Sequence, residues 1–311
     1  MAIGTHTALF GRTQPNSLFA IESADITTGA RFYVGSTVTG ATNAADAGRN
    51  PDTPFATIDY AIAYCEASAG DIIYVLPGHA ENITAATSIN VDVAGISIIG
   101  LGEGNLIPTI TSTAAEGSVT VAAANVLFRN LRFVAGFATG VTTAFTIADT
   151  ALGLTMDRLQ FRDTTTNLEF LIHATVAASI TDLLVTNCSF HGLAGTMSES
   201  FLFAGASTNC EMAYNVWDVD SSDSTINHSA LAAINMYFHH NTVVNKDTGA
   251  AGYCVEFKTG STGALHDNRL GYNKNNAEVF LGDAMFWFEN YMSNTIGEAG
   301  RVMPVATHTI P

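Results

Sequence analysis

Charge is scarce in this chain, and positive charge is scarcest. Lysine and arginine number 12 against 28 aspartates and glutamates, with only Lys246, Lys258 and Lys274 among the lysines, so the net charge is −16. Such a chain is repelled by nucleic acid and by anionic membrane surfaces, which excludes both as partners. Charged residues make up 13% of the sequence while 47% are hydrophobic, and that charged share is about half the usual one. The surface is therefore expected to be neutral and polar, or to be covered by partner subunits. No run of about 18 apolar residues exists to span a bilayer. The opening Met1-Ala2-Ile3-Gly4-Thr5-His6 has neither a basic segment nor an apolar core, which predicts the absence of a signal peptide. The cysteines Cys65, Cys188, Cys210 and Cys254 are widely spaced and show no metal-ligand pattern. Cys188 stands at an apolar position, so a buried, reduced thiol is expected.

What the chain does have is a repeat. Asn130, Asn187, Asn215, Asn241, Asn268 and Asn290 recur in one local phrase, apolar–polar–Asn and usually apolar again, as in Phe128-Arg129-Asn130-Leu131 and Phe288-Glu289-Asn290-Tyr291. Arg158 fills the gap and Gly100 extends the series backwards, with spacings of 22 to 30 residues. A near-constant period of this size marks a stacked repeat protein. Asn and Gly are also the residues that most readily adopt left-handed backbone angles. The phrase thus marks one corner, revisited once per coil.

Around this repeat the chain divides into an arm (1–31), a coil region (32–296) and a tail (297–311). Thr53-Pro54 predicts the start of an amphipathic helix over 53–69, with Thr53 as N-cap and Pro54 at the first helical position. Its Ile58, Ala61, Ile62 and Cys65 share a face, suited to covering the open end of a stack. From Asp71 to about residue 296, short β-rich pieces alternate with polar corners, which predicts about eight coils and a rod near 40 Å long. Aligning the coils on the Asn phrase predicts an inward column of Phe128, Met156, Val185, Ala213, His239, His266 and Phe288. The next column, Arg129, Asp157, Thr186, Tyr214, His240, Asp267 and Glu289, would face solvent, with contacts Arg129–Asp157 and His240–Asp267.

The segment Pro54-Phe55-Ala56-Thr57-Ile58-Asp59-Tyr60-Ala61-Ile62, followed by Gly70-Asp71-Ile72-Ile73-Tyr74-Val75-Leu76-Pro77-Gly78, resembles the capping helix and first coil of the pectin-lyase-like superfamily. The Asn phrase resembles that superfamily's structural Asn ladder. The resemblance covers about residues 32–296 and implies an all-β, single-stranded right-handed parallel β-helix with an N-terminal capping α-helix. It also leaves function open, because this fold hosts pectin and pectate lyases, polygalacturonases, epimerases, tailspikes and non-enzymatic virion proteins. The polygalacturonase-type motifs Asn-Thr-Asp, Asp-Asp, Gly-His-Gly and Arg-Ile-Lys do not occur, and no equivalent of the calcium-binding acids and catalytic Arg of pectate lyases stands out.

Three groups of residues could carry chemistry. Asp218, Asp220 and Asp223 lie close enough in sequence to bind Ca²⁺ or to act as an acid/base pair on a glycan, but the same residues serve as turn caps in a polar corner. Asp220 is expected to pair with Lys246. His239 and His266 lie one coil apart and could begin a metal site; their inward column and missing third ligand favour core histidines, so no metal and no cofactor are expected. His191 is read as a surface residue without a partner. Phe286-Trp287-Phe288 with Tyr291 could stack on sugar rings, although sealing the core's open end or an interface is the favoured reading.

Uniform coils without long loops leave no walled cleft. These features together favour a non-enzymatic structural protein of a bacteriophage virion, a capsid decoration protein or short spike. It would assemble as a homotrimer and dock on a capsid or other virion protein through residues 1–31. The alternatives are a carbohydrate-active tailspike depolymerase or polysaccharide lyase using Asp218–Asp223, and a glycan-binding adhesin without catalysis.

Overall fold

A computed structural model describes residues 29–165, 168–193, 196–249, 253–273, 280–281, 285–294 and 299–301. The arm expected over 1–31 and the tail over 297–311 lie almost wholly outside these residues. The described chain is nearly all β, a parallel β-solenoid built from three long sheets. Sheet I runs in ten strands from Arg31–Val34 to Phe286–Phe288, sheet II in ten from Ala80–Ile83 to Ala299–Arg301, and sheet III in eight from Ile89–Val91 to Phe280–Leu281. A typical coil visits Leu127–Arg129, Arg132–Ala135 and Phe145–Ile147 in turn. All neighbours pair in parallel except the last two strands of sheet II, Tyr291–Asn294 and Ala299–Arg301, which are antiparallel. No helix among the described residues is long and apolar enough to cross a membrane.

Alternation of side chains along each strand places one set inside. In sheet II the inward column contains Phe133, Phe161, Phe190 and Trp217, whose rings stack at 5.1, 4.9 and 4.8 Å. Phe145 meets Phe128 and Phe133 edge-on from sheet III. Each of these fully buried side chains stabilises the fold by roughly 1.5–3 kcal/mol. Cys188 is free, buried and pushed up to about 12 by desolvation, as an inert core thiol should be.

The corner between sheets I and II sets the geometry of the outer surface. One residue per coil takes a positive φ there: Asn130, Arg158, Asn187, Tyr214, His240, Asp267 and Glu289, all between 54° and 59°. The residue after it turns inward, and that column reads Leu131, Leu159, Cys188, Asn215, Asn241, Asn268 and Asn290. The six asparagines therefore occupy two adjacent columns. Asn130 and Asn187 supply left-handed corners, which Asn tolerates better than most residues. The other four form a buried ladder, in which Asn215 donates to Asn241 at 3.1 Å, Asn241 to Asn268 at 3.2 Å and Asn268 to Asn290 at 2.9 Å.

This division corrects the expected column register. Strand pairing aligns Phe128, Met156, Val185, Met212, Phe238, Leu265 and Trp287, and these point inward. His239, His266 and Phe288 fall instead in the outward column with Arg129 and Asp157. The error enters between Asn187 and Asn215, because the same residue type does two jobs one position apart. The two expected outer contacts are present: Arg129 Nε lies 3.0 Å from Asp157 Oδ2, and His240 Nε2 lies 4.0 Å from Asp267 Oδ2.

The capping helix is shorter than expected, spanning Ile58–Ile62 with Thr57 as N-cap. Phe55 bridges to Val34 and its ring is fully buried. Asn43 Oδ1 accepts from the backbone N–H groups of Ala56 and Thr57, and Thr57 itself is extended, so the helix does not start before Ile58. Glu81 accepts the N–H of Ile58 at 3.0 Å and caps the helix from the first coil.

Candidate functional site

The corner between sheets I and II, in its C-terminal half, gathers the ionisable and aromatic side chains the core does not use. On sheet I, Ala213, His239, His266 and Phe288 form one outward row, and Glu211, Tyr237, Ala264 and Phe286 form the row beside it. Tyr214, His240 and Asp267 project from the positive-φ positions next to the first row. Coil stacking, roughly 4.8 Å per layer, brings residues distant in sequence into contact.

The rings of His239 and His266 are parallel, 4.8 Å apart, and His266 stacks in turn on Phe288 at 4.6 Å. Tyr214 stacks on His240 at 4.8 Å. Hydrogen bonds then fix the nitrogens. Glu211 Oε1 lies 3.2 Å from His239 Nε2, and His239 Nδ1 lies 2.9 Å from His240 Nδ1. A carboxylate only accepts, so in a neutral His239 the proton sits on Nε2 and Nδ1 is left as acceptor. His240 must then donate from Nδ1, which leaves the lone pair on its Nε2. That nitrogen faces Asp267 Oδ2 at 4.0 Å, while His266 Nδ1 donates to the same oxygen at 2.8 Å. Burial holds the His239 pKa below its ordinary value, opposed by the Glu211 hydrogen bond. The hydrogen bond from His266 holds Asp267 below the usual carboxylate range. Ligand atoms of His240, His266 and Asp267 all lie within 4.8 Å of one another.

Aromatic rings flank this cluster. Tyr214 is 55% exposed, Phe286 76%, Phe288 47% and Tyr291 55%. The expectation that Phe286-Trp287-Phe288 and Tyr291 seal the open end of the core is therefore corrected for all but Trp287. Only Trp287 of these packs against the core, because alternation along the strand must send its two neighbours outward. Arg269 is exposed two residues beyond Asp267, on the sheet II side of the corner.

The acidic group does not form one site. Asp218 lies between His191, at 3.3 Å, and Lys246, at 2.6 Å, so Lys246 pairs with Asp218 rather than with Asp220 as expected. His191, expected to be unpartnered, sits one coil from Asp218 in the same outward row. Asp223 caps the N–H of Ser224 at 2.8 Å, and Asp220 is half-buried in the intervening turn. Among the described residues these three carboxylates form no group that could hold a metal ion. The hollow lined by Arg162, Ser189, His191, Val216 and Asp218 measures 240 Å³, below the roughly 300–1,000 Å³ of ordinary ligand pockets.

Sequence reasoning placed His239 and His266 inside and missed Glu211 and Tyr214. The signal that finds them is the hydrophobic alternation Met236, Phe238 on one side and Tyr237, His239 on the other. It sets the strand register without reference to the asparagines.

No protein-family model matches the chain, and no curated protein is similar to it in sequence. Two solved structures resemble it in fold. A rhamnogalacturonan lyase is 10% identical, with 88% of this chain and 90% of that one covered and a TM-score of 0.45. The alginate lyase from Paenibacillus sp. str. FPU-7 is 10% identical, with 76% and 95% covered and a TM-score of 0.47. At this identity the likeness concerns the fold. Both structures carry the names of enzymes, which runs against the expectation of a non-enzymatic chain drawn from uniform coils. Neither is a virion protein by its name.

Proposed function

We propose that the ridge between sheets I and II binds a polysaccharide and that the chain cleaves it there. One observation carries this reading: exposed rings of Tyr214, Phe286, Phe288 and Tyr291 surround a cluster of imidazoles and carboxylates. Aromatic faces stack on the apolar faces of sugar rings, while the polar cluster meets hydroxyls and moves protons. Both carboxylates of the cluster, Glu211 and Asp267, are engaged by imidazoles. They orient those rings rather than face a sugar across a gap, as the two acids of a glycoside hydrolase do. Proton transfer by imidazole suits elimination beside a uronate carboxylate, with the exposed Arg269 available to that anion. The expected activity is therefore that of a polysaccharide lyase on a uronate-containing chain.

The test is incubation with a panel of acidic and neutral polysaccharides, followed by measurement of unsaturated ends and of reducing ends. Unsaturated products from an acidic polymer, lost in a Tyr214→Ala, Phe288→Ala double variant, support the proposal. Reducing ends without unsaturation reassign the reaction to hydrolysis. Binding without product on every polymer makes the ridge an adhesive surface and removes the catalytic reading.

A further inference from the structure

We propose that His240, His266 and Asp267 form a binding site for a divalent transition-metal ion of the zinc class. The inference goes beyond the glycan reading and does not depend on it. It starts from the facing acceptors at the corner. Nε2 of His240 and Oδ2 of Asp267 lie 4.0 Å apart, too far for a hydrogen bond. Two acceptors at that separation leave a place for a positive charge between them. A zinc-class ion bonds imidazole and carboxylate at about 2.0–2.2 Å, so two ligands on one ion stand roughly 3–4 Å apart, and the observed gap has that width.

The tautomer is set from behind. Glu211 holds His239, and His239 accepts the Nδ1 proton of His240, a carboxylate–histidine relay of the kind that orients metal-bound imidazoles. The third ligand, His266, donates its Nδ1 proton to Asp267 at 2.8 Å. Binding through that nitrogen would place the ring proton on Nε2 instead, exchanging the hydrogen bond to Asp267 for a shared ion. Scaffold rigidity favours the site as well. His266 is clamped between the parallel rings of His239 and Phe288, and His240 lies on Tyr214, so little side-chain freedom remains to be lost on binding. Two imidazoles and one carboxylate suit Zn²⁺, Co²⁺, Ni²⁺ and Cu²⁺ rather than Ca²⁺, which takes oxygen ligands. Because His240 and Asp267 are exposed, such an ion would keep coordination positions open toward the aromatic ridge.

The experiment is titration of the metal-stripped full chain with zinc chloride by calorimetry, and with cobalt chloride by visible absorption. One equivalent bound per chain, with cobalt bands of mixed nitrogen and oxygen ligation, is the expected result. Asp267→Ala and His240→Ala should each weaken zinc binding at least tenfold, and Glu211→Gln about tenfold through the relay. His191→Ala, a surface histidine beside Asp218, should leave it unchanged. Circular dichroism and melting curves establish that each variant is folded. Absence of saturable zinc uptake by the wild type overturns the site, as does equal binding in Asp267→Ala and His240→Ala. Loss of zinc binding in His191→Ala would show scattered surface histidines instead and also overturn it. Phe286→Ala should keep full zinc affinity, so failure of the glycan reading and failure of the metal site register separately.

Discussion

The side chain of Asn241 hydrogen-bonds to the coils on both sides. Its Nδ2 donates to Met212 O at 2.8 Å and to Asn268 Oδ1 at 3.2 Å. Its Oδ1 accepts the backbone N–H and the amide of Asn215 at 2.9 and 3.1 Å. In earlier coils the same inward position is held by Leu131 and Leu159, which bury apolar area and require no partner. A ladder of amides, once begun, must continue, because each member satisfies groups on its neighbours.

Asn241→Leu should accordingly destabilise the fold although Leu159 is accepted in the same column three coils away. The backbone N–H of Asn215 and the carbonyl of Met212 would lose buried partners, at about 1–3 kcal/mol each. Urea unfolding would show a loss of roughly 2–6 kcal/mol. A loss below about 0.5 kcal/mol would mean that water replaces the ladder.

The aromatic ridge should separate stability from binding. Phe286→Ala and Tyr214→Ala remove exposed rings, and surface changes of this kind shift stability by no more than about 0.5 kcal/mol. Each ring stacked on a sugar should contribute about 0.5–1.5 kcal/mol, so affinity for a retained polysaccharide should fall about 2–13-fold per variant. Affinity electrophoresis in gels containing the polymer checks this. Unchanged migration in the double variant would place the ligand elsewhere.

Asp157 should matter more than its cationic partners. It accepts from Arg129 and Arg158 at 3.0 and 3.2 Å and from Asn187 at 3.0 Å. Desolvation pushes its pKa up, but the hydrogen bonds and both arginines outweigh it and the net shift is downward. With the folded value depressed, Asp157 contributes stability that is present above the unfolded value of about 3.9 and lost as pH falls through the folded one. Arg129→Ala should cost about 0–1 kcal/mol. Asp157→Ala should cost more and should flatten the acid limb of a stability–pH curve. Equal costs would reduce Asp157 to one half of a surface pair.

Two buried groups should tilt stability in opposite directions with pH. Burial drives His173 down to about 3, so between the unfolded value of about 6.5 and pH 3 only the unfolded chain is protonated there. That favours unfolding, and the contribution of His173 is lost as pH falls through this window. Asp163 is raised to about 6 by burial, with the neighbouring Glu169 adding to the rise. Its folded form holds a proton between about pH 4 and pH 6 that the unfolded chain has released, so its contribution falls as pH rises. His173→Phe should remove the first slope and Asp163→Asn the second, read by melting temperature from pH 4 to pH 7. Unchanged slopes in both variants would assign the pH dependence to other groups.

Architecture was legible because it rests on local rules. Asn130, Arg158 and Asn187 mark the corner at a fixed period, and Phe128, Met156 and Val185 alternate correctly with polar neighbours. Register failed at Asn215 because Asn suits two adjacent positions for different reasons: tolerance of a left-handed φ in one, and four hydrogen-bonding groups in the other. Nothing local to the residue separates these roles. The strand pairing Met212–Phe238–Leu265 does.

Composition and period by themselves determined a stacked, acidic, all-β chain with an apolar interior, since alternation, corner residues and coil length are properties of short segments. The candidate site was decided by tertiary structure alone. Glu211, His239, His240, His266 and Asp267 span three coils, and only the one-residue offset between strand pairing and the asparagines sends His239 and His266 outward. Side-chain direction in a β-strand reverses with every residue, so an error of one position exchanges core for surface.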